Sequence, residues 1–170
     1  MSERKKARPK RLIFWVSSAL LFAACRSVTP GSYAGAPAKD TEDRVRQMAS
    51  AIAHDVSRDG PNAWLRYFAD DRGFFMANNG ELQFSSFGEA RSFLAKFSAG
   101  VAHLDLSWGD IRVDPVAPGA AVMAARYREV LTDVKGHVVH FEGYFTGLAV
   151  ETNSGWKLRD AHWSTSIPSP

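Results

Sequence analysis

Two pairs of residues in this chain have the types and spacing for acid/base chemistry. Asp160 and His162 stand two apart near the C-terminus. On an extended strand, side chains two apart point the same way, so the carboxylate can orient the imidazole as a general base, or both can hold one ligand. Tyr127 and Glu129 repeat that spacing thirty-odd residues upstream. A phenol there can donate a hydrogen bond to a developing oxyanion, with Glu129 beside it as a ligand contact. Trp108, next to the bulge-prone Gly109, joins Phe145 and Ser164 as a candidate wall for the same ligand. Each residue also has a structural reading. Asp160 can anchor a helix N-terminus, His162 can be a satisfied core histidine, Tyr127 a core phenol, Glu129 an arginine partner at a rim, and Trp108 simple packing. His54, His103, His137 and His140 have no supporting spacing and read as surface. No metal or cofactor is expected, because the chain lacks His-x-x-x-His, paired cysteines, a Gly-rich phosphate loop and a Gly-x-Ser-x-Gly nucleophile.

These side chains share a site only if the strands carrying them are in the right register. From residue 101 onward the apolar period is close to two, and turn residues divide the chain into four long strands: 101–114, 120–133, 137–152 and 156–165. A two-residue turn at Asn153-Ser154 predicts Ala149 opposite Leu158 and Phe145 opposite His162. A three-residue loop at Val134-Lys135-Gly136 predicts Tyr127 opposite Gly143 and Glu129 opposite Phe141. Together the two turns put Tyr127, Glu129, Phe145, Asp160, His162 and Ser164 on one concave face. Arg126, Arg128, Glu142, Tyr144, Arg159 and Trp163 fall on the outer face. A slip of one residue would exchange the two sets.

Ahead of the strands the pattern is helical. Val45, Met48, Ala49, Ile52, Ala53 and Val56 recur on one face of a helix that Asp40 or Thr41 caps and Gly60-Pro61 stops. Trp64, Leu65 and Phe68 make the stripe of a short second helix. Phe74-Phe75-Met76 reads as a short strand, and Asn78-Asn79-Gly80 as the turn after it. Ser86-Phe87-Gly88-Glu89 has capping-box spacing for a third helix, through Phe87, Ala90, Phe93, Leu94 and Phe97. Helices followed by a meander of strands predict an α+β domain over residues 40–167, leaving 168–170 as a tail.

That order, with Trp64-Leu65-Arg66-Tyr67-Phe68-Ala69-Asp70-Asp71 and the closing strand Gly155-Trp156-Lys157-Leu158-Arg159-Asp160-Ala161-His162-Trp163-Ser164, resembles the nuclear transport factor 2-like superfamily, particularly its SnoaL-like branch. The resemblance implies a cone-shaped, cystatin-like fold with three N-terminal helices packed on a curved antiparallel sheet and a pocket at one end. It implies too that the outer sheet face, with Tyr144, Arg159 and Trp163, is where a homodimer would form.

The N-terminus carries a different message. The 170-residue chain has a formal charge of +3, but six of its basic residues lie within the first eleven positions. Without residues 1–24 it counts 15 basic against 17 acidic residues, which removes the case for nucleic-acid binding. The charge-free stretch Leu12 to Ala24 is too short to span roughly 30 Å of hydrocarbon and suits a secretory signal. Its end, Phe22-Ala23-Ala24-Cys25, resembles the bacterial lipobox, with Phe22 where leucine is usual. Cys25 is the only cysteine, so no intrachain disulfide competes for it. The resemblance implies a signal peptide over 1–24, a lipid on Cys25 that binds the membrane, and a Gly/Pro/Ser/Ala-rich tether over 25–39. Arg26 implies sorting to the outer membrane of the cell envelope.

Three function classes follow. The first is an anchored pocket domain binding a small, partly apolar molecule. The second is a cofactor-independent acid/base enzyme of dehydratase, isomerase or cyclase type, as in relatives that the resemblance brings in. The third is a protein-interaction module of the envelope. Fold alone cannot choose among them.

Overall fold

The computed structural model describes residues 38–166. The expected signal peptide, the lipid site at Cys25, the tether up to residue 37 and the tail 168–170 lie outside the described residues. Helix α1 runs Ala38–Asp59, so Ala38 and Lys39 are helical where the tether was expected to continue. It buries Val45, Met48, Ala49, Ile52 and Val56 on one face, the stripe its periodicity dictates. Gly60, at φ +78°, ends it, and Pro61 opens a 3-10 helix, Pro61–Arg66, in place of an α-helical turn. Trp64 and Phe68 from this segment go into the core. Hydrogen bonds from Ala69 N to Leu158 O (2.8 Å) and from Leu158 N to Tyr67 O (2.7 Å) fasten it to the last strand.

Strand β1 (Phe75–Asn78) and strand β2 (Glu81–Phe84) are joined by Asn79-Gly80, whose φ values of 50° and 88° are those of the tight hairpin turn that Asn-Gly favours. Phe74 is buried just before β1, whereas Phe75 is exposed, so the strand starts one residue later than its apolar run suggests. Helix α2 (Phe87–Ser98) begins with Ser86 Oγ accepting from Glu89 N at 3.3 Å. The Glu89 carboxylate reaches back to Ser85 N at 2.7 Å, one residue beyond the usual capping partner. Four long strands complete the fold: β3 (Val101–Ala117), β4 (Ala120–Asp133), β5 (Val138–Thr152) and β6 (Gly155–Thr165).

The sheet order is β2-β1-β6-β5-β4-β3. Its pairings are antiparallel except that β1 runs parallel to β6, which departs from the all-antiparallel expectation. Residues Phe75–Asn78 thereby cover the edge that β6 would otherwise leave open. Packing of α1 against β3, with the 3-10 helix held against α1 and α2 and its Trp64 ring meeting Trp163 of β6, buries one face of the curved sheet.

Register decides what that inner face holds. The β4–β5 hairpin pairs as its loop predicts: Gly136 takes φ +87°, Tyr127 lies opposite Gly143, and Glu129 opposite Phe141. Glycine is needed at 143, because a Cβ there would collide with the Ser164 backbone carbonyl. The β5–β6 hairpin starts as predicted, from Thr152 opposite Gly155 to Ala149 opposite Leu158, and then slips. Leu148 pairs with Asp160, skipping Arg159, and Phe145 pairs with Trp163. This one-residue bulge reverses the faces of everything after it. Asp160, His162 and Ser164, expected on the concave face, turn outward; Trp163, expected outward, turns in. The gain is aromatic burial. The Trp163 ring meets Trp64 at 5.5 Å, Phe145 at 4.9 Å and Tyr127 at 4.7 Å between centroids, while an imidazole and a carboxylate stay near water.

Candidate functional site

A cavity of about 320 Å³ opens between α2, the 3-10 helix and the inner face of the sheet. Trp64, Phe93, Phe97, Phe141 and Trp163 are among the aromatic residues of its walls. Phe93 and Phe97 are successive rings on one face of α2, stacked 5.6 Å apart, and each remains over a third exposed, as does Phe141 at the opposite side. They form an apolar mouth. A second depression, of about 310 Å³, lies over the outer face between Arg126, Arg128 and Glu142. The side chains of Arg128 and Glu142 are 71% and 67% exposed and pair only at 3.8 Å, so it offers a ligand little that water does not.

The polar part of the inner cavity comes from β4, β6 and the β1–β2 hairpin, which brings Asn78, Asn79 and Gln83. Glu129 follows Tyr127 on the inner face of β4 and is half-buried. Among the described residues its carboxyl has no ion-pair or hydrogen-bond partner, and burial pushes its pKa up to about 7. Tyr127 shares a 2.8 Å hydrogen bond with Thr165 Oγ1. Burial raises its phenol pKa above the ordinary value, opposed by the bond to Thr165, and the neighbouring Glu129 charge adds to the rise. Asn79 Oδ1 accepts from Thr165 N at 2.8 Å, tying the end of β6 to the hairpin turn. The side-chain oxygen of Asn78 is buried without a partner among the described residues. A carboxyl that ionises near neutrality in an aromatic cavity can exchange a proton with a bound molecule or hold a hydrogen-bond donor.

The sequence-derived candidates therefore separate. Tyr127 and Glu129 line the cavity together. Phe145 is fully buried, packed against Trp108 and Trp163 beneath it. Trp108 is a packing residue: its ring stacks on Trp163 at 5.7 Å and its Nε1 donates to Ala49 O at 2.9 Å. The bulge expected beside it is present, with Asp110 at φ +51° and a register slip between Gly109 and Arg112. His162 and Ser164 are exposed on the outer face, and Asp160, half-buried there, accepts from Leu148 N at 3.0 Å. Neither Asp160 nor His162 lines the cavity. Asn78, Thr165 and Trp163 do, and the turn-based reading missed them. The signal for the last two was the apolar row Trp156, Leu158, Ala161, Trp163, which changes phase once. Among the described residues no group of three or more His, Cys, Asp or Glu is placed to hold a metal ion.

No family model matches the chain, and no curated protein does. Solved structures do. A nuclear transport factor 2-like superfamily protein of Salmonella enterica superposes with a TM-score of 0.65 at 13% identity, covering 79% of this chain and 95% of that one. A candidate scytalone dehydratase of Novosphingobium aromaticivorans gives 0.68 at 12% identity, covering 76% and 86%. A candidate dehydratase of the same fold family from Streptomyces avermitilis gives 0.63 at 18%, covering 76% and 99%. At these identities the likeness is one of fold, and residues 38–166 form an α+β domain with the nuclear transport factor 2-like fold.

Proposed function

We propose that the chain is an envelope lipoprotein, anchored through Cys25, whose domain binds a small, partly apolar molecule in the cavity beneath α2. One observation carries the binding reading: a cavity of about 320 Å³ walled by aromatic rings and supplied with a carboxyl that has no partner among the described residues. Such a group is costly to bury and is retained where a ligand compensates it. The anchor rests on the sequence of residues 1–25, whose basic start, short apolar stretch and lone cysteine suit export and acylation. Arg26 supports the outer membrane as its destination.

The binding reading is tested with N-phenyl-1-naphthylamine, a neutral fluorophore that brightens in apolar sites. The full chain should show saturable enhancement at one site, and Leu94→Trp, which fills the cavity from α2, should abolish it while thermal unfolding remains cooperative. Enhancement that does not saturate, or survives Leu94→Trp, would refute the reading.

A second reading, cofactor-independent acid/base catalysis, is favoured by Glu129. A carboxyl with a pKa pushed up to about 7 is poised to take a proton at neutral pH, and Tyr127 stands beside it on the same face. In that reading Glu129 takes the role that spacing assigned to Asp160 and His162. Two of the solved structures cited are candidate dehydratases, which is the reaction type it would suggest.

A further inference from the structure

The chemistry of the cavity wall is one-sided. Eight of its lining residues are aromatic, one is a carboxylic acid, and none is lysine, arginine or histidine. Aromatic rings present negative faces, so a cavity walled by them has a potential that favours positive charge even without an acid. Glu129 adds a formal negative charge on the same wall, with no cation to meet it among the described residues. The hydroxyls of Tyr127 and Thr165 are engaged with each other. Glu129 thus presents an acceptor that a ligand with N–H groups would satisfy. A neutral apolar ligand would seal Glu129 from water without a partner, and an anion would meet it with like charge.

We propose that the cavity selects protonated organic amines, with the ammonium against Glu129 and an aryl or alkyl body among Trp64, Trp163, Phe93, Phe97 and Phe141. This rests on the pocket reading above and names its ligand class. The ammonium keeps its N–H donors and gains a charge-assisted hydrogen bond. The apolar body covers the exposed rings at the mouth.

The test uses three ligands of one shape and different charge: 3-phenylpropylammonium, 3-phenylpropanol and 3-phenylpropanoate. They are titrated calorimetrically into the full chain at about pH 8, where a Glu129 carboxyl is mostly ionised and the amine still mostly protonated. The ammonium should bind at least roughly tenfold more tightly than the alcohol, with the carboxylate weakest. Glu129→Gln, close to isosteric, should bring the ammonium to within about twofold of the alcohol. Equal affinities for ammonium and alcohol, tightest binding of the carboxylate, or a cation preference that survives Glu129→Gln would each overturn the proposal. Alcohol binding in those cases would leave the pocket reading standing. Binding of none of the three would overturn both.

Discussion

Asp160 Oδ1 accepts the Leu148 backbone N–H at 3.0 Å, at the point where the β5–β6 register slips by one residue. A bulge interrupts the ladder and leaves a backbone donor that needs another acceptor, and the carboxylate supplies it. The bond therefore helps hold the phase of β6 that turns Trp163 into the aromatic cluster. Asp160→Ala should destabilise the domain by about 1–3 kcal/mol in urea unfolding, with Trp fluorescence shifted to the red. Asp160→Asn keeps an acceptor and should lose much less. An alanine variant as stable as the native chain would show that the bulge is held by packing alone.

The same bulge marks the limit of what the sequence reveals. Close to the turns, chemistry and register are local: Gly136 sets the β4–β5 loop, and with it the inward placement of Tyr127 and Glu129 was legible. The α1 stripe and the Asn79-Gly80 turn were legible for the same reason. Asp160 and His162 lie farther from their turn than the bulge does, and a mid-strand slip leaves no trace in turn residues. It shows only in the apolar phase from Leu158 to Ala161. The parallel β1–β6 pairing joins segments more than eighty residues apart, and no local pattern encodes it. That Glu129 has no partner among the described residues likewise depends on which neighbours the fold brings near.

His162 gives the matching negative test. It stands exposed, beside Ala77 of β1 on one side and Thr146 of β5 on the other. His162→Ala should change stability by no more than about 0.5 kcal/mol and leave fluorophore binding in the cavity unchanged. A lost binding signal would place the histidine in the site after all.

The anchor makes its own prediction. If Cys25 becomes an acylated N-terminus, Cys25→Ser should leave the protein uncleaved or release it from the membrane fraction. Mass spectrometry of the native chain should find a diacyl or triacyl cysteine at its start. Normal processing of the serine variant, with no lipid on the native protein, would rule the anchor out.

Glu129 ties stability to pH, and the sign can be worked out. Its ordinary pKa lies near 4.5 and burial pushes it up to about 7. Below about pH 4.5 the folded and unfolded chains both hold the proton, and Glu129 makes no difference between them. Between about 4.5 and 7 the unfolded chain loses the proton while the folded one keeps it, so this residue makes stability fall as pH rises. Above about 7 the penalty is complete. Glu129→Gln lacks it and should match the native chain near pH 4.5 yet exceed it above pH 7 by on the order of 1–2 kcal/mol, allowing for the part of the carboxyl that stays wet. Urea unfolding of both chains across that range checks the difference and cancels the contributions of other titrating groups. A difference that stays flat with pH would mean that Glu129 is ionised throughout, and the case for it as a neutral-pH proton acceptor would fall with it.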